Sequence, residues 1–155
     1  MNKLWAPWRN EYITLKKQKG CIFCLGKKSA GKDRARYILK RGHFVFSMLN
    51  KYPYNNAHVM VAPYRHVKSL TLLKEEELLG IMKLVTETIK RIDKKLKPQG
   101  YNIGLNSGRI AGAGFAGHAH MHIVPRWAGD TNFMPVISST KIVSSSLDEM
   151  WRLLK

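Results

Sequence analysis

Three of the chain's six histidines fall at alternate positions, His118, His120 and His122, within the run GHAHMHIVPRW from Gly117 to Trp127. Imidazole, with an unperturbed pKa of ~6.5, is largely neutral near pH 7 and can serve as nucleophile, proton carrier or metal ligand. On a strand the three rings would share one face, while Ala119, Met121 and Ile123 would turn to the other and serve a core. At ~3.3 Å of rise per residue, His118 and His122 would stand roughly 13 Å apart, too far to hold one metal ion without strong bending. The three histidines must therefore divide their labour.

The chain's two cysteines form a second cluster, Cys21 and Cys24, in CIFC. This spacing suits half of a zinc site or a redox couple. A redox pair normally opens a helix after a strand, and no strand-like run precedes Cys21, which favours zinc. A tetrahedral site needs two further ligands. His66, in APYRHV, and His118 are candidates, with His43 and His58 competing on spacing alone.

These groups need a scaffold. The apolar runs HFVFSMLN (His43 to Asn50) and AHVMVAP (Ala57 to Pro63) flank the turn-rich KYPYNN and predict an antiparallel hairpin with a wide loop. From Lys74 to Leu96, the residues Leu78, Met82, Val85, Ile89, Ile92 and Leu96 recur at helical steps and predict an amphipathic helix ended by Pro98 and Gly100. YNIGLN (Tyr101 to Asn106) and HAHMHIVPR (His118 to Arg126) read as strands, separated by the glycine-rich loop SGRIAGAGFAG. Ser146 and Glu149 have the spacing of a capping box that opens a short C-terminal helix. The sum is an α+β domain with an antiparallel sheet. We divide it into an N-terminal segment with the cysteines and an exposed loop (1–36), a core (37–145) and the C-terminal helix (146–155).

Length and charge narrow the function. A chain of 155 residues suits one domain. No window approaches the ~18 to 20 uninterrupted apolar residues of a spanning helix, so no membrane partner is expected. MNKLWAPWRNEY lacks the pattern of a secretory signal, and a cytoplasmic location is the expectation. The 27 Lys and Arg against 10 Asp and Glu give +17, a field that attracts phosphate-rich ligands. The lysines are dispersed (Lys16, Lys17 and Lys19; Lys27 and Lys28; Lys94, Lys95 and Lys97) and lack the aromatic interleaving of a single-strand groove, which argues against specific nucleic-acid binding.

Taken together, these residues resemble the histidine-triad (HIT) family, whose signature alternates three histidines with apolar residues, here His118-Ala-His120-Met-His122-Ile-Val. LNKYPYNNAHVMVAPYRHV resembles the family's nucleotide-binding hairpin. LWAPWR, GLNSG and VPRWAGDTNFMPV resemble the branch of bacterial diadenosine polyphosphate hydrolases and phosphorylases. The resemblance implies a structural zinc site of Cys21, Cys24, His66 and His118, a nucleophile in His120, a phosphate-facing His122 and a supporting His58 behind the triad. It also implies that Asn50 meets the ribose hydroxyls, that Asn106 lies near the phosphates, and that the chain is a homodimer paired through the long helix and an adjacent strand.

The chemistry suits the residue types. A neutral imidazole attacks phosphorus without a separate base, provided a carbonyl holds the proton on its other nitrogen. Glycines such as Gly112 and Gly114 let backbone N–H groups approach phosphate oxygens that side chains would obstruct. Many family members place a Gln followed by Ser or Thr shortly before the triad, whereas this chain has GAGFAG. That smaller, less polar loop could admit inorganic phosphate in place of water, or reflect a different leaving group. The reading is therefore an enzyme that cleaves diadenosine tri- or tetraphosphate through a nucleotidyl-His120 intermediate. The alternatives are a nucleoside phosphoramidase of the same fold, a nucleotide-binding module without catalysis and, least favoured, a basic nucleic-acid binder.

Overall fold

The structure, a computed structural model, describes residues 20–24, 30–138 and 141–155. LWAPWR, the lysines at 16, 17, 19, 27 and 28, and the first part of the expected loop after Cys24 lie outside the described residues. Residues 30–36 of that loop form two short 3-10 turns. Asp33 within them accepts from Arg41 at 2.8 Å.

Five strands, β1 (Ile38–Arg41), β2 (Val45–Leu49), β3 (Val59–Pro63), β4 (Gly100–Gly104) and β5 (Met121–Arg126), form one antiparallel sheet in the order β1-β2-β3-β5-β4. The expected hairpin is β2–β3, in register from Val45 opposite Pro63 to Leu49 opposite Val59. Strand β1 had no clear apolar alternation and was not predicted; it binds the hairpin's outer edge through a register shift between Ile38 and Lys40. Helix α1 spans Glu75–Leu96, close to expectation. Glu75 to Glu77 in its first turn and Lys94 and Lys95 in its last complement the helix dipole. Its C-cap Lys97 is left-handed, with φ of 46°, and Pro98 follows. A five-residue helix α2 (Met134–Ser138) was not predicted, and α3 (Leu147–Leu154) opens as expected, with the Ser146 hydroxyl accepting from the Glu149 N–H.

Strand pleat divides the interior. Leu49, Val59, Val61 and Ile123 face one way and pack on Ile81, Leu84, Val85 and Ile92 of α1 and on Met150 and Leu154 of α3. Phe46, Met48, Met60 and Ala62 face the opposite side and pack with Phe23. Because His122 pairs with Met60, its ring stands on the second side, away from the helices. The helix is rotated from the expected stripe: Val85 and Ile92 are buried, but Ile81 and Leu84 take the places expected for Leu78 and Met82, which are exposed. Glu77 is buried as well, gripped by the Arg65 guanidinium at 2.6 and 3.0 Å while it accepts from the Lys74 N–H.

Candidate active site and metal centre

Strand β5 begins only at Met121, so the pleat places His122 but not its two predecessors. His118 and His120 lie in the approach to the strand. There the Ala119 N–H donates to the Val67 carbonyl at 2.6 Å, laying the segment along residues 66 and 67. All three triad rings are buried, and they divide into two centres.

In the first centre, Cys21, Cys24, His66 and His118 present Sγ and imidazole nitrogens that all lie within 4.8 Å of one another. Cys21 Sγ is 3.4 Å from His118 Nδ1, and Cys24 Sγ is 3.2 Å from His66 Nδ1. A tetrahedral Cys2His2 zinc site, with bonds of about 2.0 to 2.3 Å, has S–N edges of roughly 3.5 Å, so the residues fit such an ion. His118 Nε2 donates to the Pro63 carbonyl at 2.9 Å, which leaves Nδ1 as the unprotonated ligand atom. Burial, aided by the neighbouring imidazoles, lowers the His118 pKa and favours that neutral form. Burial pushes the Cys21 thiol up. His43 and His58, the rival ligands on spacing, are not in the cluster.

The second centre follows from tautomers. His120 Nδ1 lies 2.7 Å from the main-chain carbonyl of His118, an acceptor only, so Nδ1 carries the proton and Nε2 keeps its lone pair. Burial lowers the His120 pKa, opposed by that hydrogen bond. At His58, Nδ1 accepts from the Tyr54 N–H at 3.0 Å, so the neutral ring carries its proton on Nε2. That proton points at His122 Nδ1, 2.9 Å away. Neutral His122 is thereby left with its own proton on Nε2, a donor beside His120, whose ring centroid is 4.8 Å off. Burial, followed by the fields of His122 and His120, pushes His58 down to about 3. Burial and His120 push His122 down to about 4. The pair forms a neutral chain running from the Tyr54 N–H to the Nε2–H of His122.

Asn50, expected at the ribose, turns its amide toward the hairpin loop. Its Oδ1 accepts from the Tyr52 N–H at 2.9 Å, and its Nδ2 lies 3.3 Å from His58 Nδ1. Asn106 is half-buried and donates to the Gly112 carbonyl at 3.4 Å, bracing the glycine-rich loop. Gly112 has φ of +84°, a conformation that favours glycine, and its N–H is committed to the Arg109 carbonyl. Gly114 is exposed.

Residue types alone did not single out four further members. Phe23 is fully buried against His120 and His118. Tyr54 stacks on His122 at 5.6 Å. Asn55, also buried, donates to the Pro125 carbonyl and to Asp130, tying the loop that carries His58 to the strand that carries His122. Asp130 also accepts from Arg126 and from the Trp127 N–H, and the guanidinium holds its carboxyl far below the usual range. In the sequence Asn55 falls in the turn-rich KYPYNN and Asp130 in VPRWAGDTNFMPV, and nothing local pairs the two.

Comparison with known proteins points to one family. The HIT domain profile covers residues 33–129. Over 99% of its length the chain is 35% identical to a Mycobacterium tuberculosis protein named AP-4-A phosphorylase, of which 83% is covered. It is 32% identical to an adenosine 5'-monophosphoramidase of Schizosaccharomyces pombe, across 68% of this chain and 74% of that one. A zinc-bound histidine triad family protein from Mycobacterium smegmatis shares the fold, with a TM-score of 0.66 at 23% identity, over 87% of this chain and 90% of that one. The profile spans both the hairpin and the triad, and the chain belongs to the HIT family.

Proposed function

We propose that the protein is a nucleotidyl-transferring enzyme that cleaves diadenosine polyphosphates, with diadenosine tetraphosphate as substrate and inorganic phosphate as the second acceptor. The observation that carries the reading is the 2.7 Å contact from His120 Nδ1 to the His118 carbonyl, which leaves a neutral nucleophile at Nε2. Likeness to the AP-4-A phosphorylase relative supports the substrate and the acceptor.

His120 Nε2 attacks the α-phosphorus. An N–P bond forms, the P–O bond to the remaining polyphosphate breaks, and ATP leaves. The imidazole becomes cationic as it bonds, and the His118 carbonyl steadies that charge through Nδ1–H. His122 directs Nε2–H at the phosphoryl oxygens, and His58 holds it in that tautomer. Phosphate then displaces His120 to give ADP, or water does so to give AMP. The exposed Gly114 serves as a backbone contact to the phosphates in the small loop, with Asn106 bracing it. Asn50 lies at the hairpin end where the ribose would approach.

Cys21, Cys24, His66 and His118 would hold a zinc ion, which would cross-link the segment before the sheet to the approach to β5. The apolar Leu79 and Met82, 55% and 54% exposed on α1, and the edge strand β4 with its exposed Ile103 support a homodimer. None of the described helices is long and apolar enough to cross a membrane. Two unpaired cysteines suit a reducing, cytoplasmic setting.

The test is a panel of dinucleoside polyphosphates and adenosine phosphoramidate, incubated with and without phosphate and resolved by chromatography. From diadenosine tetraphosphate, ATP with ADP is expected in the presence of phosphate, and ADP is expected only there. Faster release of AMP from the phosphoramidate would replace this reading with the phosphoramidase one.

A further inference from the structure

Phe23 sits between the two cysteines, in a turn closed by the Cys24 N–H on the Cys21 carbonyl at 3.2 Å. It is fully buried although both cysteines reach solvent to some degree. Its ring stacks on His120, with centroids 4.5 Å apart and planes at 27°. It is tilted against His118 at 5.2 Å and meets Phe115 of the glycine-rich loop edge-on at 6.0 Å. One side chain thus touches the nucleophile, a metal ligand and the loop before the triad.

We propose that Phe23 is a positioning residue that transmits occupancy of the metal centre to the nucleophile, by holding the face of the His120 ring only when the cysteine turn is locked. The inference rests on the role given to His120 above. The hydrogen bond from Nδ1 to the His118 carbonyl fixes the tautomer but leaves the ring free to rock about that bond. A face contact sets the ring plane, and with it the line along which Nε2 meets phosphorus. Phe23 owes its own position to the turn between Cys21 and Cys24. The two thiols of that turn stand 3.4 and 3.2 Å from the His118 and His66 imidazole nitrogens. With an ion it is held by coordinate bonds.

The effect belongs to the transition state. As Nε2 bonds phosphorus the imidazole gains positive charge, and a phenyl face attracts a cationic ring more than a neutral one. Loss of the phenyl therefore lowers kcat more than it raises KM. A Phe23 that merely filled the core would change thermal stability and leave kcat in place.

The experiment compares wild type, Phe23→Leu and Phe23→Met, which keep apolar volume without an aromatic face, with Cys24→Ser and the double variant Phe23→Leu/Cys24→Ser. The readouts are zinc per chain, imidazole proton resonances of His120, and kcat and KM for diadenosine tetraphosphate. In zinc-loaded Phe23→Leu we expect unchanged metal content, loss of the ring-current shift on His120 and kcat about tenfold lower, with KM within about twofold. Cys24→Ser should shift the His120 resonances and lower kcat in the wild-type background, with little further change in the Phe23→Leu background. Equal effects of Cys24→Ser in both backgrounds, or wild-type kcat in both zinc-loaded Phe23 variants, would overturn the proposal. The resonances are read on the free protein, so they decide the coupling even if diadenosine tetraphosphate is not turned over, a result that would count against the substrate reading instead.

Discussion

His58 and His122, separated by 64 positions in the chain, meet Nε2 to Nδ1 at 2.9 Å in the buried centre of the site. The Tyr54 N–H on His58 Nδ1 orients the pair, so both rings carry their protons on Nε2. His122→Ala should lower kcat by about 10² to 10³, as expected for loss of a positioned proton donor. His58→Ala should cost about tenfold. The double variant should be no worse than His122→Ala, because His58 acts through its neighbour. Steady-state kinetics on the four proteins checks this, and strictly additive losses would give His58 a separate role.

His120→Ala should abolish turnover, by about 10⁴-fold or more, while substrate binding measured by calorimetry changes by no more than a few-fold. His120→Gly should regain partial activity with added imidazole. Denatured wild-type enzyme should yield an acid-labile, alkali-stable adenylyl adduct on the triad peptide. A substrate chiral at the α-phosphorus should react with retention, the sum of two in-line displacements. Inversion would indicate direct attack and leave His120 as a binding residue.

His58 and His122, depressed to about 3 and about 4, are neutral in the folded protein where an unfolded chain would titrate near ~6.5. Below that value the unfolded state binds more protons, so stability is lost as pH falls and is restored as pH rises. The urea midpoint of metal-free protein should fall as pH drops from ~6.5 toward the folded values. His122→Asn, with one fewer such site, should show a shallower fall, and an identical slope in the two proteins would contradict the assignment.

Cys21→Ser should lose most of the bound zinc and several degrees of melting temperature, since a structural metal contributes its binding energy to folding. Atomic absorption and differential scanning calorimetry measure the two together. Zinc retained near one per chain in the variant would remove Cys21 from the ligand set.

A chain of +17 acting on a polyanion should show kcat/KM falling with ionic strength while kcat changes little. Rates at 25 and 250 mM salt suffice. A flat dependence would make the surface charge incidental to substrate capture.

Much of the scaffold was legible because its signals are local. The runs around Phe46 and Val61 and the turn-rich loop between them specify the hairpin. The apolar recurrence from Lys74 to Leu96 and the stop at Pro98 mark the limits of α1 within a residue. The helix's buried face was less legible, because Leu78, Ile81, Met82 and Leu84 are all apolar, and only the sheet beneath decides which of them is covered. Strand β1 escaped notice for a related reason: a short edge strand is made by its partner, β2, more than by its own pattern.

The sequence by itself determined which chemistry was available: two thiols, alternating imidazoles and a basic surface. Resemblance divided the histidines between metal and phosphate. Tertiary structure decided the protonation pattern, because each tautomer depends on a partner far along the chain: Pro63 for His118, Tyr54 and His122 for His58. It also decided that Asn50 turns toward His58, that Gly112 spends its N–H inside a turn, and that Phe23 covers the nucleophile. Spacing along a strand predicts which side chains share a face, but His118 and His120 precede the strand. Their directions come from the 2.6 Å hydrogen bond between Ala119 and Val67 and from the ring packed over them, neither of which is written in local sequence.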